Sequence, residues 1–288
     1  MIAPQNADSD IFGDAPVRHR VRKDIGAGAR RAARILSAFA AAAALTLLAP
    51  VAASAEPTAA AAESTPAQAS SPREGTTATV ATLSNLKTLT RWAYPQAGAP
   101  AHASPSAHSR IVGHLQFLTP DGQAQVYLAL RSYTIGKSEW IEVPLPGRPN
   151  GRVGWVVADD LSELHELHQY LRINRKAERI TLYRDGRTVL TAPVGVGRPS
   201  LPTPAGHFFV TEKLLAIGGP VYGPYALGTS AYAPSLSEWP GGGVVGIHGT
   251  DEPQLVPGRP SHGCVRMRNG DITRLWRMVE VGTPIEIV

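Results

Sequence analysis

Pro260-Ser261-His262-Gly263-Cys264-Val265-Arg266-Met267 contains the only cysteine in 288 residues, two positions after a histidine. A thiolate attacks acyl carbonyls far better than a hydroxyl does. A free thiol, with a pKa of ~8.5, is only a few per cent ionised at neutral pH and needs a base or cation beside it. His262 and Arg266 supply both within the same stretch. Gly263 gives the backbone torsions closed to other residues and a close approach to substrate, as an oxyanion pocket of N–H groups needs. Two blander readings compete. A lone cysteine is commonly a small buried hydrophobe, and His248, His262 and Cys264 together offer three metal ligands, although structural zinc sites usually bring paired cysteines. The histidines favour the nucleophile, because His248-Gly249 and His262-Gly263-Cys264 suit loops and turns better than a packed core.

The order Ile247-His248-Gly249-Thr250, then Ser261-His262-Gly263-Cys264-Val265-Arg266-Met267, resembles the signature of the L,D-transpeptidase catalytic domain, a family that cross-links bacterial peptidoglycan. The resemblance extends upstream through RITLYRDGRTVLTAPVGVG, PTPAGHFFV and YGPYALGTSAY and covers residues 168–288. It implies a mixed β-sandwich with one or more short helices, Cys264 as a thioester-forming nucleophile, and no metal, nucleotide or organic cofactor. It also implies stem peptides of peptidoglycan as substrates and acylation of the thiol by β-lactams such as carbapenems. Spacing leaves the base open. An extended Ser261–Cys264 would put His262 and Cys264 on one face, whereas the family pattern nominates His248, oriented by the backbone at Gly249. On that pattern Ser261 hydrogen-bonds within the loop, Gly263 contributes to the oxyanion pocket, and Arg266 faces a substrate carboxylate or fixes the loop.

Residues 1–55 bring Arg18, Arg20, Arg22, Lys23, Arg30, Arg31 and Arg34 up to an uncharged run from Ile35 to Val51, followed by Ala53-Ser54-Ala55. That is the form of an export signal with a small-x-small cleavage site, or of a membrane anchor. The segment holds 7 Lys/Arg and 4 Asp/Glu, leaving 21 and 19 for the remainder, a net charge of +2. The basic balance therefore belongs largely to the export segment. With no clustered basic patch, nucleic acid is not an expected partner, and contact with membrane is expected only through the N-terminal segment. Outside the cytoplasm a single cysteine has no internal disulfide partner and must stay free, pair with another molecule, or react. Residues 56–81, rich in Ala, Thr, Ser and Pro, read as a flexible linker.

From 82 to 161, short runs rich in β-branched and aromatic residues alternate with turn signals such as PDG and PGRPNG. The pattern predicts a small all-β barrel, and its NGRVGWV ending is similar to bacterial SH3-like modules beside wall-active enzymes. Trp92, Trp140 and Trp155 are expected mainly in packing roles, and His102, His108 and His114 are expected exposed. Residues 162–169, SELHELHQ, read as a helical turn or two joining the domains. Beyond them, ERITLY and TVLTAPVGVG flank the Arg184-Asp185-Gly186-Arg187 hairpin signal. HFFVTEK, GGVVGIHGT and TPIEIV are further strands. DITRLWRMV places Ile272, Leu275, Trp276 and Val279 on one helical face, with Gly282 as the stop. The segment 214–243, rich in Gly, Pro, Ser and Tyr, reads as a substrate-covering lid, with Tyr222, Tyr225 and Tyr232 lining the donor site.

The fold expected is mainly β, an SH3-like barrel followed by a transpeptidase-type domain, and the resemblance implies a peptidoglycan L,D-transpeptidase of the cell envelope that forms 3-3 cross-links through Cys264. An L,D-carboxypeptidase of the same mechanism, with water as acceptor, is one alternative. A catalytically silent wall-binding protein is the other.

Overall fold

The computed structural model of the chain describes residues 77–215, 219–236 and 240–288. The expected export signal and most of the expected linker lie outside them. The first nine strands are β1 (Ala78–Thr82), β2 (Thr90–Ala93), β3 (Pro100–His102), β4 (Ile111–His114), β5 (Tyr127–Ala129), β6 (Arg131–Ile135), β7 (Ser138–Pro144), β8 (Val153–Val157) and β9 (His165–Leu167). They form a six-stranded sheet, β1-β6-β7-β8-β3-β4, and a three-stranded one, β5-β2-β9. Both sheets contribute to one core, with Ala93, Tyr127 and Ala129 from one and Ala101, Ile141, Val143 and Val156 from the other. Alternation of buried and exposed side chains along short strands is what lets two small sheets share an interior.

Three expectations are corrected here. Residues 78–81, expected as the end of the linker, form with Thr82 an edge strand, antiparallel to β6 with Val80 opposite Tyr133. Every residue of β1 is exposed, so backbone pairing rather than burial holds it. Residues 162–169 are not helical: His165, Glu166 and Leu167 pair with Trp92, Arg91 and Thr90. Stacking of Trp92 on His165 at 4.5 Å, a 2.7 Å Arg91–Glu166 ion pair and burial of Leu167 reward the extended form over the local helical pattern. His102 is buried rather than exposed, with Nδ1 3.0 Å from the Ser109 carbonyl and its ring edge-on to Trp140.

The second half is built on β10 (Gln169–Asn174), β11 (Arg179–Arg184), β12 (Arg187–Pro193), β13 (Gly195–Gly197), β14 (Gly206–Leu215), β15 (Tyr225–Thr229), β16 (Ile247–His248), β17 (Gly258–Ser261), β18 (Val265–Arg266), the helix α1 (Asn269–Met278) and β19 (Pro284–Ile287). The expected hairpin joins β11 to β12, and Asp185 and Gly186 take φ of 51° and 72°. Ten strands hydrogen-bond in the order β12-β11-β10-β19-β14-β15-β16-β18-β13-β17. The long strand β14 is the hinge of this sheet. Gly206–Phe209 pair with β19, and beyond them the strand pairs with β15 across a bulge at Val210/Glu212. The sheet therefore folds back on itself, and Leu171, Ile180 and Leu190 from one end share a core with Ile247, Val265 and Met267 from the other. Ile272, Leu275 and Val279 of the α1 region enter the same core as expected. The helix stops at Met278, with Val279 already extended, rather than at Gly282. Among the described residues no helix is long and apolar enough to cross a membrane.

The two halves meet along β5 and β14. Val126, Leu128 and Phe209 form a small shared core beneath Trp92. Within the contact, the Thr119 hydroxyl donates to the buried Glu212 carboxyl at 2.5 Å.

Candidate active site

Parallel pairing of β16 with β18 sets Ile247 opposite Val265 and His248 opposite Arg266. Paired residues of adjacent strands share a face, and residues two apart along a strand do too. His248, Arg266 and Cys264, two residues before Arg266, are thereby brought to one side of the sheet. They line a cavity of about 120 Å³ together with Ser261, His262 and Gly263. Its other walls come from Val221, Tyr222, Ala233, Leu236 and Gly243–Val245.

The loop ahead of the cysteine is braced from inside. Ser261 Oγ donates to the Cys264 carbonyl at 2.5 Å and accepts the Gly263 N–H at 3.1 Å. Gly263 sits at φ 129°, so the chain bends before the cysteine, and the extended geometry that would align His262 with Cys264 is not formed. The Gly263 N–H is also engaged by Ser261, which removes it as a donor for an oxyanion. Thr203 completes the brace. It accepts the Gly197 N–H at 2.9 Å and donates to the Gly263 carbonyl at 2.8 Å, all of it buried.

His248 is 4% exposed, and its Nδ1 lies 2.6 Å from the Gly249 carbonyl. That carbonyl can only accept, so Nδ1 carries the proton and Nε2 keeps the lone pair. Gly249 is required here for space: a Cβ would stand 2.4 Å from Asn269 Oδ1 and 2.9 Å from Gly223 Cα. Asn269, at the start of α1, accepts the Thr250 N–H at 2.9 Å and so holds the same turn. Tyr222 packs edge-on over the imidazole at 4.9 Å.

Burial governs the protonation of the site. Desolvation pushes the His248 pKa down to about 4, against the Gly249 hydrogen bond, and the Arg266 charge adds to the lowering. Desolvation pushes the Cys264 thiol up, opposed by a hydrogen bond from the Gly246 backbone and by Arg266. Removing water disfavours whichever form is charged. The resting pair at neutral pH is thus a thiol and a neutral imidazole. Arg266 Nη1 pairs with Glu252 at 2.8 Å, while its buried Nε has no hydrogen-bond partner.

Of the tyrosines read from sequence, only Tyr222 reaches this cavity. Tyr225 stacks on Trp276 at 4.7 Å, and Tyr232 lines a different cavity with His114, Gln116 and Arg152. The expected lid at 214–243 includes the regular strand β15, so its described irregular parts flank a strand. Thr203, Gly246 and Asn269 were not singled out in the sequence. The Pro-Ala-Gly turn after Thr203 and the glycine two residues before His248 were the available signals. Among the described residues, no group of three or more His, Cys, Asp and Glu side chains is placed to hold a metal ion.

Residues 168–287 match the YkuD model, described as an L,D-transpeptidase catalytic domain. The probable L,D-transpeptidase YbiS of Escherichia coli is 30% identical over 234 residues, covering 70% of this chain and 75% of YbiS. The chain belongs to the L,D-transpeptidase family. The putative L,D-transpeptidase YkuD of Bacillus subtilis is 31% identical over 132 residues, 46% of this chain and 73% of that protein. Among solved structures, the catalytic domain of the Enterococcus faecium L,D-transpeptidase acylated by ertapenem is 27% identical, with a TM-score of 0.32 over 43% of this chain and 99% of that one. The match boundary at residue 168 falls in the short connection between β9 and β10, where the chain passes from one set of sheets to the next.

Proposed function

We propose that this L,D-transpeptidase joins peptidoglycan stems by 3-3 cross-links through a thioester on Cys264. The observation that carries the reading is the shared face of Cys264, His248 and Arg266, with the His248 tautomer set by Gly249. His248 Nε2 takes the thiol proton as sulfur attacks the carbonyl after the third stem residue. Because both partners are neutral at rest, proton transfer and attack are coupled, and Arg266 offsets the charge that develops on sulfur. The Cys264 N–H serves the oxyanion, since that of Gly263 is engaged by Ser261. The imidazolium returns its proton to the departing D-alanine amine, leaving the thioester. The side-chain amine of a second stem then attacks the thioester carbonyl, gives its proton to Nε2 and releases the thiol. A carbapenem is expected to acylate the same sulfur by opening its lactam ring.

The substrate lies outside the cytoplasm, and the uncharged run from Ile35 to Val51 behind its arginines serves export or anchoring. Residues 82–161 serve as an SH3-like module that accompanies the enzyme to the wall.

Intact mass of the full chain after a carbapenem, and product analysis after a disaccharide tetrapeptide, test the reading against Cys264→Ala. A carbapenem adduct and a dimer lacking one D-alanine are expected, both lost in the variant. Tripeptide as the sole product would reassign the chain as an L,D-carboxypeptidase. An adduct that survives Cys264→Ala would sink the thioester.

A further inference from the structure

The wall of the Cys264 cavity formed by Ala233, Leu236 and Gly243–Val245 is held by the other half of the molecule. In the turn between β7 and β8, Arg148 donates from Nε and Nη2 to the Ala233 carbonyl at 3.2 and 3.0 Å, from Nη2 to Leu236 at 2.9 Å, and from Nη1 to Gly242 at 2.8 Å. Its guanidinium lies 5.0 Å over the Tyr232 ring. Two residues on, Asn150 makes a reciprocal pair with the Tyr232 backbone, donating to its carbonyl at 2.8 Å and accepting its N–H at 2.9 Å. Gly243 is fitted to this arrangement: a Cβ there would stand 1.8 Å from the Leu236 carbonyl oxygen and 2.4 Å from Arg148 Nη2.

We propose that Arg148, assisted by Asn150, is a positioning residue for the transpeptidase. It sets the distance between the wall of Ala233, Leu236 and Gly243–Val245 and the thiol, and with it the fit of the donor stem. All its acceptors are backbone carbonyls, so it fixes where the wall runs without dictating which side chains the wall presents. The planar fork reaches three carbonyls at once, which a lysine ammonium, a single point of charge, does not reproduce. Neither Arg148 nor Asn150 is among the residues lining the cavity, so neither touches the reacting atoms. The inference rests on the transpeptidase reading for its substrate, but the geometry it tests does not.

The test compares full-length wild type with Arg148→Ala, Arg148→Lys and Asn150→Ala. With Arg148→Ala, KM for the tetrapeptide donor is expected to rise about ten-fold with kcat changed less, the equivalent of one charge-assisted hydrogen bond lost. Carbapenem acylation is expected to slow by a similar factor, while alkylation of Cys264 by iodoacetamide stays within about two-fold because the thiol's own surroundings are unaltered. Asn150→Ala is expected to show the smaller effect, and Arg148→Lys to stay nearer to Ala than to wild type. Hydrogen exchange should accelerate at the Ala233 amide, bonded to Gly243, and at the Val245 amide, bonded to Ala231, but not at core strand β10. Unchanged KM and exchange, or exchange accelerated equally throughout the domain, would overturn the proposal. If wild type itself neither turns over donor nor takes up carbapenem, the chemistry proposed above fails, and the exchange comparison alone decides the role of Arg148.

Discussion

The floor and the wall of the Cys264 cavity are made differently. The floor is local to the catalytic half: β16 and β18 pair directly, and Ser261, Thr203 and Asn269 tie the loops that carry the cysteine and histidine. The wall, from Ala233, Leu236 and Gly243–Val245, belongs to no long strand or helix, and its backbone is fastened by two side chains from a turn about 85 residues earlier in the sequence. Reactivity and access are therefore separable properties. The first depends on strand pairing and hydrogen bonds within one half, and the second on polar contacts between two packed halves.

That contrast is open to direct attack. His248→Ala is expected to have the largest effect, lowering kcat/KM by about 10³-fold, within the range for loss of a general base, with little change in donor affinity. A loss confined to KM would move His248 from the chemistry to binding. Thr203→Val comes next. It leaves the buried Gly197 N–H and Gly263 carbonyl without their partner, at about 1–3 kcal/mol for each, read as a lower Tm together with a lower kcat. If only Tm falls, the brace serves the fold and not the floor.

Glu212 tests the contact between the halves. Burial, with Asp121 nearby, pushes its carboxyl from 4.5 up to about 7. A raised acid pKa means that the folded state holds a proton the unfolded state has lost. Stability is therefore full below about pH 4.5 and declines as pH rises through about 7. Glu212→Gln should abolish that decline while keeping an acceptor for Thr119, so that urea midpoints of variant and wild type diverge between pH 5 and 8. Parallel midpoints would show Glu212 ionised throughout. His248 acts at the acid end. Its folded pKa of about 4 lies below the usual 6.5, so the unfolded chain binds the proton first and stability falls as pH drops from 6.5 towards 4. The acid limb of kcat/KM is expected near pH 4–5; a limb at 6.5 would mean that the histidine is solvated in solution. The smallest effect belongs to Glu252→Gln. It removes a half-exposed partner of Arg266 and should change Tm by an amount worth about 1 kcal/mol or less.

Much of the floor was legible in the sequence because it is written in chemistry that few other roles require. A single cysteine after His-Gly, a second His-Gly and a following arginine all converge on one cavity. The Asp185-Gly186 turn was legible for a similar reason, since few residues accept its torsions. The wall was not legible. Arg148 and Asn150 sit in a turn where any polar residue is ordinary, and only tertiary packing gives them acceptors. The stretch 162–169 misled for the same reason: its histidines, three apart, fit one face of a helical turn, but the partners of His165 and Leu167 lie on β2. Tyr232 was placed in the right segment and on the wrong side of it, because the irregular backbone there has no period from which to read a facing.

The elevated thiol pKa of Cys264 also has a chemical consequence for durability. Peroxide and most small electrophiles attack the thiolate, and their rates follow the fraction ionised. On the mechanism proposed above, the nucleophile remains protonated until the imidazole takes its proton in the act of attack, and so presents little thiolate between turnovers. Between turnovers such a site offers oxidants little of the form they attack.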